Sequence, residues 1–215
     1  YKQGKPNPAH LIILAKNDKG YHNLCKLNSI AWVEGFYYKP RIDYKTLAEY
    51  SEGLICSSAC LAGDIPRLLA QGRFDDAVKF GEKLRDMFAP GDFYIEVQDH
   101  GIELQRQILP DLFKLADVLG VKTIATNDVH YLYPEDAEMQ DIMLCIQTGK
   151  TIDDPDRMRM DGNQFYLKTE AEMRQVFAAH PESIDNTLEI AEKCDVTLDF
   201  HSQFYPKFTA PDGKN

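Results

Sequence analysis

At 215 residues, with 44% apolar and 27% charged side chains, the chain has the composition of a soluble globular protein rather than of a disordered or fibrous one. The 34 acidic against 24 basic residues give a net charge of −10, which excludes a module that grips duplex DNA through a broad basic face. No run approaches the roughly 18 apolar residues of a membrane span, and residues Tyr1 to Ala9 lack the apolar stretch of a signal peptide, so no membrane partner and a cytoplasmic location are expected.

In chain order, the first buried strand is expected at His10–Lys16, a short and nearly continuous apolar run. Asn17 or Asp18 can then cap a helix through Tyr21, Leu24, Leu27 and Ala31. A second strand follows at Gly53–Ser58, and a helix whose apolar face is Phe74, Ala77, Val78, Gly81, Leu84 and Phe88. The third strand is Phe93–Gln98. The helix after it carries Leu104, Ile108, Leu112, Leu115, Ala116 and Leu119, with Pro110 expected to kink or divide it. The fourth strand is Lys122–Thr126. Continuous apolar runs of this kind suit parallel strands covered on both faces, and strand–helix alternation implies an α/β fold.

Beyond Pro134 the strand signals stop. Pro134 to Gln147 reads as a helix with Gly149 just past its end. Thr169 and Glu172 form a capping box, and Pro181 opens a last helix carrying Ile184, Leu188 and Ala191. The acidic run Ile152 to Asp156 marks a turn, after which Arg157 and Arg159 are placed to face a neighbouring domain. Residues 200–215 read as an exit linker. The cysteines Cys25, Cys56, Cys60, Cys145 and Cys194 show no tight spacing, and their default reading is buried reduced thiols.

Chemistry concentrates where three strands end. Cys60 follows the second, His100 the third, and Asp128 and His130 the fourth. The carboxyl ends of parallel strands form the site in barrels and open sheets alike. Imidazole and carboxylate suit zinc, iron or manganese, and a thiolate favours zinc. Asp128 and His130, at i and i+2, face one side of an extended backbone. Taken singly, each residue also has an ordinary reading: a small hydrophobe, a hydrogen-bonded imidazole, a turn cap. Spacing alone leaves both readings open. His22 and His180 are assigned structural roles, and His10 is placed at the end of its strand away from the site. Lys39 and Arg41, in the aromatic loop Phe36-Tyr37-Tyr38-Lys39-Pro40-Arg41, are candidate contacts to a nucleic-acid strand; a solvated loop packing its tyrosines is the competing reading.

At these residues the sequence resembles the PHP (polymerase and histidinol phosphatase) domain at the front of bacterial DNA polymerase III alpha subunits. The markers are His10-Leu11-Ile12-Ile13-Leu14-Ala15-Lys16-Asn17, Gly35-Phe36-Tyr37-Tyr38-Lys39-Pro40-Arg41, Ser58-Ala59-Cys60-Leu61-Ala62-Gly63 and Ala125-Thr126-Asn127-Asp128-Val129-His130-Tyr131. Cys145-Ile146-Gln147-Thr148-Gly149-Lys150 and Phe165-Tyr166-Leu167-Lys168 extend it. The resemblance implies a distorted seven-stranded β/α barrel with a divalent metal cluster (zinc, manganese or iron). It makes Cys60, His100, Asp128 and His130 ligands of that cluster. Residues 1–150 would be the C-terminal portion of the barrel, 151–199 a helical extension, and 200–215 the linker toward the polymerase palm.

The family's opening His-x-His, Thr-Asp-His and Gly-Cys-Glu strands have no counterpart in this sequence. The expectation is therefore a domain lacking its N-terminal part, with a partial cluster or none and no catalysis by this piece alone. Three functions follow. The first is a polymerase-attached phosphoesterase acting as a 3′–5′ proofreading exonuclease on a primer 3′ end. The second is an inactive module that stabilises the polymerase domains and docks replisome subunits, including a separate proofreading subunit. The third, a free-standing small-molecule phosphatase, is disfavoured by the polymerase-type Cys145–Lys150 segment.

Overall fold

The computed structural model describes residues 8–203, 205, 209 and 211, and shows a mixed α/β arrangement built on one four-stranded sheet. Strands β1 (Ile12–Ala15), β2 (Leu54–Ser57), β3 (Phe93–Val97) and β4 (Lys122–Ala125) lie side by side in that order. Each falls inside an expected segment. β2, β3 and β4 are parallel, with Ser57 beside Tyr94 and Val97 beside Ala125. β1 is not: it runs antiparallel to β2, with Ile12 opposite Ser57 and Ala15 opposite Leu54. The expectation of four parallel strands is corrected here. An apolar run reports that a strand is buried, but either direction satisfies that burial.

The direction of β1 follows from what comes after it. Helix α1 (Asp18–Val33) starts almost at once, capped by the Asn17 side chain accepting from the Gly20 N–H. Gly20 lies against the entry to β2, where a Cβ on it would stand 1.8 Å from the Gly53 carbonyl oxygen. The end of β1 and the start of β2 therefore share one end of the sheet. Between them lie α1 and the short α2 (Tyr44–Glu49), capped by Asp43.

Helices α3 (Asp64–Ala70), α4 (Phe74–Arg85) and α5 (Glu103–Leu119) pack together and join the main core. α5 continues across Pro110 and ends at Gly120, whose positive φ closes it. After β4 come a short 3-10 turn at Pro134–Asp136, α6 (Ala137–Thr148) ending at Gly149, α7 (Glu170–Val176) with its Thr169–Glu172 capping box, and α8 (Glu182–Lys193). The exit linker at 200–215 lies largely outside the described residues.

Alternation along the strands gives the sheet two unlike faces. Toward α3–α5, Leu54, Cys56, Phe93, Ile95, Val97 and Ala125 meet Ile65, Leu84, Ile108 and Leu115 in the main core, each fully buried large side chain stabilising by about 1.5–3 kcal/mol. The opposite face carries Ile55, Tyr94 and Ile124, which pack on Ile190 of α8. Further along the same face stand Ser57, Glu96, Gln98 and Thr126. The chain exposes 14,253 Å² in all, above the roughly 10,000 Å² of a compact protein of its mass. Trp32, Val33, Ile146 and Leu188 are among its exposed large apolar side chains.

At the amino end of the sheet, a network of charges ties α8 down. Asp92, nearly fully buried, meets Lys16 directly and Lys193 at 3.6 Å. The Lys193 ammonium also donates to the Tyr94 hydroxyl and the Gly91 carbonyl, both at 2.7 Å, and pairs with Glu189 at 3.0 Å. Lys122 closes the network on Glu189. Hydrogen bonds from Lys122 and Lys193 hold the Glu189 carboxyl at a pKa of about 2.

Candidate functional site

At the carboxyl end of the sheet the loops are strained. Three non-glycine residues among those described have positive φ: Tyr38 (62°), Ala59 (60°) and Asp128 (40°). Two of them sit at this rim. Such conformations cost about 1–3 kcal/mol each and persist where neighbours hold them.

After β2, the loop from Ser58 to Gly63 folds back on the start of β1. The His10 N–H donates to the Ala62 carbonyl at 3.0 Å, and the His10 Nδ1 lies 3.3 Å from the Cys60 Sγ. His10 therefore stands at the rim and not at the far end of its strand, which corrects the sequence expectation. The cause is the antiparallel course of β1: its beginning lies beside the end of β2. Cys56, four residues earlier and within β2, is a different kind of thiol. Burial, and then the nearby Glu96, push its pKa well up, so it stays protonated and inert. Cys25 is exposed and Cys60 and Cys194 are half-buried, against the expectation of buried thiols, and none of the five forms a disulfide.

After β4, the Asp128 Oδ1 lies 3.3 Å from the His130 Nε2. The backbone on either side is anchored. The His130 N–H donates to the Phe165 carbonyl at 2.8 Å. The Asn127 side-chain amide donates to the Tyr166 carbonyl at 2.6 Å, while its Oδ1 accepts from the Lys168 ammonium at 3.2 Å. Lys168 is buried, and that burial lowers its pKa.

His100, after β3, is buried and supports this loop. Its Nε2 donates to the Asn127 carbonyl at 2.8 Å, which makes Nδ1 the acceptor, 3.0 Å from the Gln105 Nε2. The ring stacks on Phe165 at 4.4 Å, and Phe165 also meets the His130 ring edge-on at 5.6 Å. Both nitrogens of His100 are thus engaged within the chain.

Of the four expected ligands the structure pairs Asp128 with His130 and sets Cys60 beside His10, which was not expected, while His100 joins neither pair. Among the described residues no three His, Cys, Asp or Glu side chains come close enough to hold a metal ion. The donor types suit a borderline divalent metal, but a structural zinc takes four ligands and a catalytic one three. Neither pair is a cage by itself, so an ion at this rim would need donors beyond it.

Lys39 and Arg41 lie elsewhere. The Arg41 guanidinium sits 4.9 Å from the centre of the Tyr37 ring, beside a pocket of about 420 Å³ lined by residues that include Glu34 and Asp43. Arg157 does not face outward: its guanidinium pairs with Asp141 and is largely buried, against the expectation of an outward contact.

Sequence reasoning missed His10, Asn127, Phe165 and Lys168. Phe165 and Lys168 stood in a marker segment, but no spacing rule puts residue 165 beside residue 100. His10 would have been found had the strand's direction been left open.

A family model described as PHP domain matches residues 1–100. DNA polymerase III subunit alpha of Treponema pallidum is 46% identical over 202 residues, and that of Borreliella burgdorferi 48% over 203, each match covering 94% of this chain. This chain matches the PHP domain of bacterial DNA polymerase III alpha subunits. The subunit of Deinococcus radiodurans, 38% identical, is matched along 100% of the chain. The chain spans only 17%, 18% and 16% of the length of these three relatives. Among the described residues no helix is long and apolar enough to cross a membrane.

Proposed function

We propose that this chain is the PHP-domain portion of a bacterial replicative DNA polymerase III alpha subunit and contributes donors to a divalent metal site at the carboxyl rim of its sheet. The observation that carries the reading is the pairing of His10 with Cys60 and of Asp128 with His130 at that rim. On this reading the sheet is part of a distorted seven-stranded β/α barrel. Residues 1–150 form its C-terminal portion, 151–199 a helical extension, and 200–215 lead toward the polymerase domains. Zinc, manganese or iron are the candidate metals, with thiolate chemistry favouring zinc.

A bound divalent ion would supply a Lewis acid and a water of lowered pKa for phosphoester hydrolysis. The chain's own residues would set the geometry. Asp128 orients the His130 imidazole, while Asn127, His100 and Lys168 hold the loop that carries both. The proposed reaction is 3′–5′ cleavage at a primer terminus within the parent polymerase, with the Lys39–Arg41 loop as a candidate contact to the strand. Replisome subunits, including a proofreading subunit, are the proposed partners.

A second reading, an inactive scaffold, is favoured by the engaged nitrogens of His100 and the lack of a three-donor group among the described residues. Elemental analysis of the parent polymerase separates the two. His10→Ala, Cys60→Ala, Asp128→Ala and His130→Ala should each lower bound metal; unchanged metal in all four removes the metal-site reading. Full metal content with no cleavage of a 3′-mismatched primer, in protein free of any proofreading subunit, establishes the scaffold.

A further inference from the structure

Asp128 is the strained member of the rim pair it forms with His130, with a backbone φ of 40°. An L-residue rarely holds that conformation unless its neighbours fix it. The Asp128 carboxylate does not fix it, because it is turned to the His130 ring at 3.3 Å. The turn is held at both ends by other segments. After it, the His130 N–H donates to the Phe165 carbonyl at 2.8 Å. Before it, Asn127 engages three polar groups at once. Its backbone carbonyl accepts from His100 Nε2 at 2.8 Å, its Nδ2 donates to the Tyr166 carbonyl at 2.6 Å, and its Oδ1 accepts from the Lys168 ammonium at 3.2 Å.

Lys168 sets the direction of that amide. An ammonium donates and cannot accept, whereas a backbone carbonyl accepts and cannot donate. Between Lys168 and Tyr166, one orientation of the Asn127 amide satisfies both, with oxygen to the lysine and nitrogen to the carbonyl. An aspartate at 127 would set a carboxylate oxygen against the Tyr166 carbonyl, and an alanine would satisfy neither neighbour. Lys168 is buried, also donates to the Gln164 carbonyl, and lies 4.3 Å from the centre of the Tyr166 ring. Glu172 and Asp99 act on it only at a distance. Burying an ammonium among neutral acceptors is costly, and an apolar side chain would occupy the same place without that cost. Its own place is fixed by α7: Lys168 directly precedes the Thr169–Glu172 capping box, and the Tyr166 hydroxyl donates to Glu172 at 2.8 Å.

From this we infer that Asn127 is the positioning residue of the Asp128–His130 pair, and that Lys168 acts through it by locking its amide in one orientation. The helical extension thereby sets the geometry of the rim: α7 places Lys168, Lys168 turns Asn127, and Asn127 holds the Asp128 turn. The use of that pair as metal donors rests on the function proposed above. Its positioning does not.

The test is hydrogen–deuterium exchange read by mass spectrometry on the intact parent polymerase after EDTA treatment, followed by Zn²⁺ titration of the same proteins. Asn127→Ala and Lys168→Met should each speed exchange at the His130 and Tyr131 amides about tenfold, the size of one lost hydrogen bond to a charged group. The double variant should go no further than Asn127→Ala, because the lysine acts through the amide. Asn127→Asp, which keeps an acceptor for Lys168 but opposes the Tyr166 carbonyl, should loosen the same two amides, and decides the matter should Lys168→Met fail to fold. Exchange in α7 and α8 should stay as in the wild type. Additive effects, unchanged exchange at residues 130 and 131, or loosening that spreads through α7 and α8 overturns the inference. Zn²⁺ affinity should fall about tenfold in the same single variants, as for other residues that orient metal ligands. Faster exchange with unchanged Zn²⁺ affinity, where Asp128→Ala does lower it, also overturns the inference by leaving Asn127 a merely structural role. Zn²⁺ binding that ignores Asp128→Ala removes the metal reading of the rim instead, and the positioning of the pair then stands on the exchange result.

Discussion

The two ends of the sheet handle charge in opposite ways. At the amino end, Asp92 and Glu189 each have lysines: Lys16 and Lys193 for the first, Lys122 and Lys193 for the second. Backbone glycines close the same end tightly, with Gly20 on Gly53. At the carboxyl end, Glu96 has only neutral donors, Gln98 keeps an unpartnered oxygen, and Ala59 and Asp128 hold strained backbones. One end is complete in itself. The other gathers acceptors and metal-type donors with fewer internal partners.

The contrast can be broken most severely at Gly20. Gly20→Ala drives a Cβ into the Gly53 carbonyl, and a loss of about 3 kcal/mol in urea unfolding is expected from overpacking against backbone. A cost under about 0.5 kcal/mol, the level of an ordinary surface change, would show that the closed end yields easily. Next is His100→Ala, expected to lose about 2–3 kcal/mol through its two ring hydrogen bonds and its stack on Phe165. That would mark His100 as support for the open end; a neutral change would return it to the donors.

Asp92→Asn should cost about 2 kcal/mol, less than for a fully buried pair because both lysines keep contact with water. The acid limb of stability offers a finer probe of the same end. The Glu189 carboxyl titrates near 2 in the fold, below its ordinary 4.5, so its contribution is present above pH 4.5 and is lost as pH falls toward 2. Glu189→Gln should flatten the stability profile across that window; an unchanged slope would detach Glu189 from the network. Smallest of all, Cys60→Ala and His130→Ala should each change stability by less than about 0.5–1 kcal/mol, since both are at least partly exposed and bonded chiefly to the other member of their pair. Losses of His100 size would make them structural.

Much of this was legible beforehand. The four strands fall within the apolar runs, Asn17 caps α1, Thr169 and Glu172 form their box, and Gly149 ends α6, because each signal involves residues a few positions apart. α2 and α3 gave too few turns to show a period. Pro110 was expected to kink or divide α5, and the helix is not divided there.

The sequence by itself determined the four strands and the longer helices, since those follow from apolar runs, local periodicity and capping. The tertiary structure alone decided the direction of β1, and with it the place of His10 beside Cys60. It likewise decided that Phe165 and Lys168 support the loops carrying His100 and Asp128, and that Glu96 is buried without a cation. These are contacts between residues some 30 to 70 positions apart, and a period of two or 3.6 residues carries no information about which distant segment will arrive there.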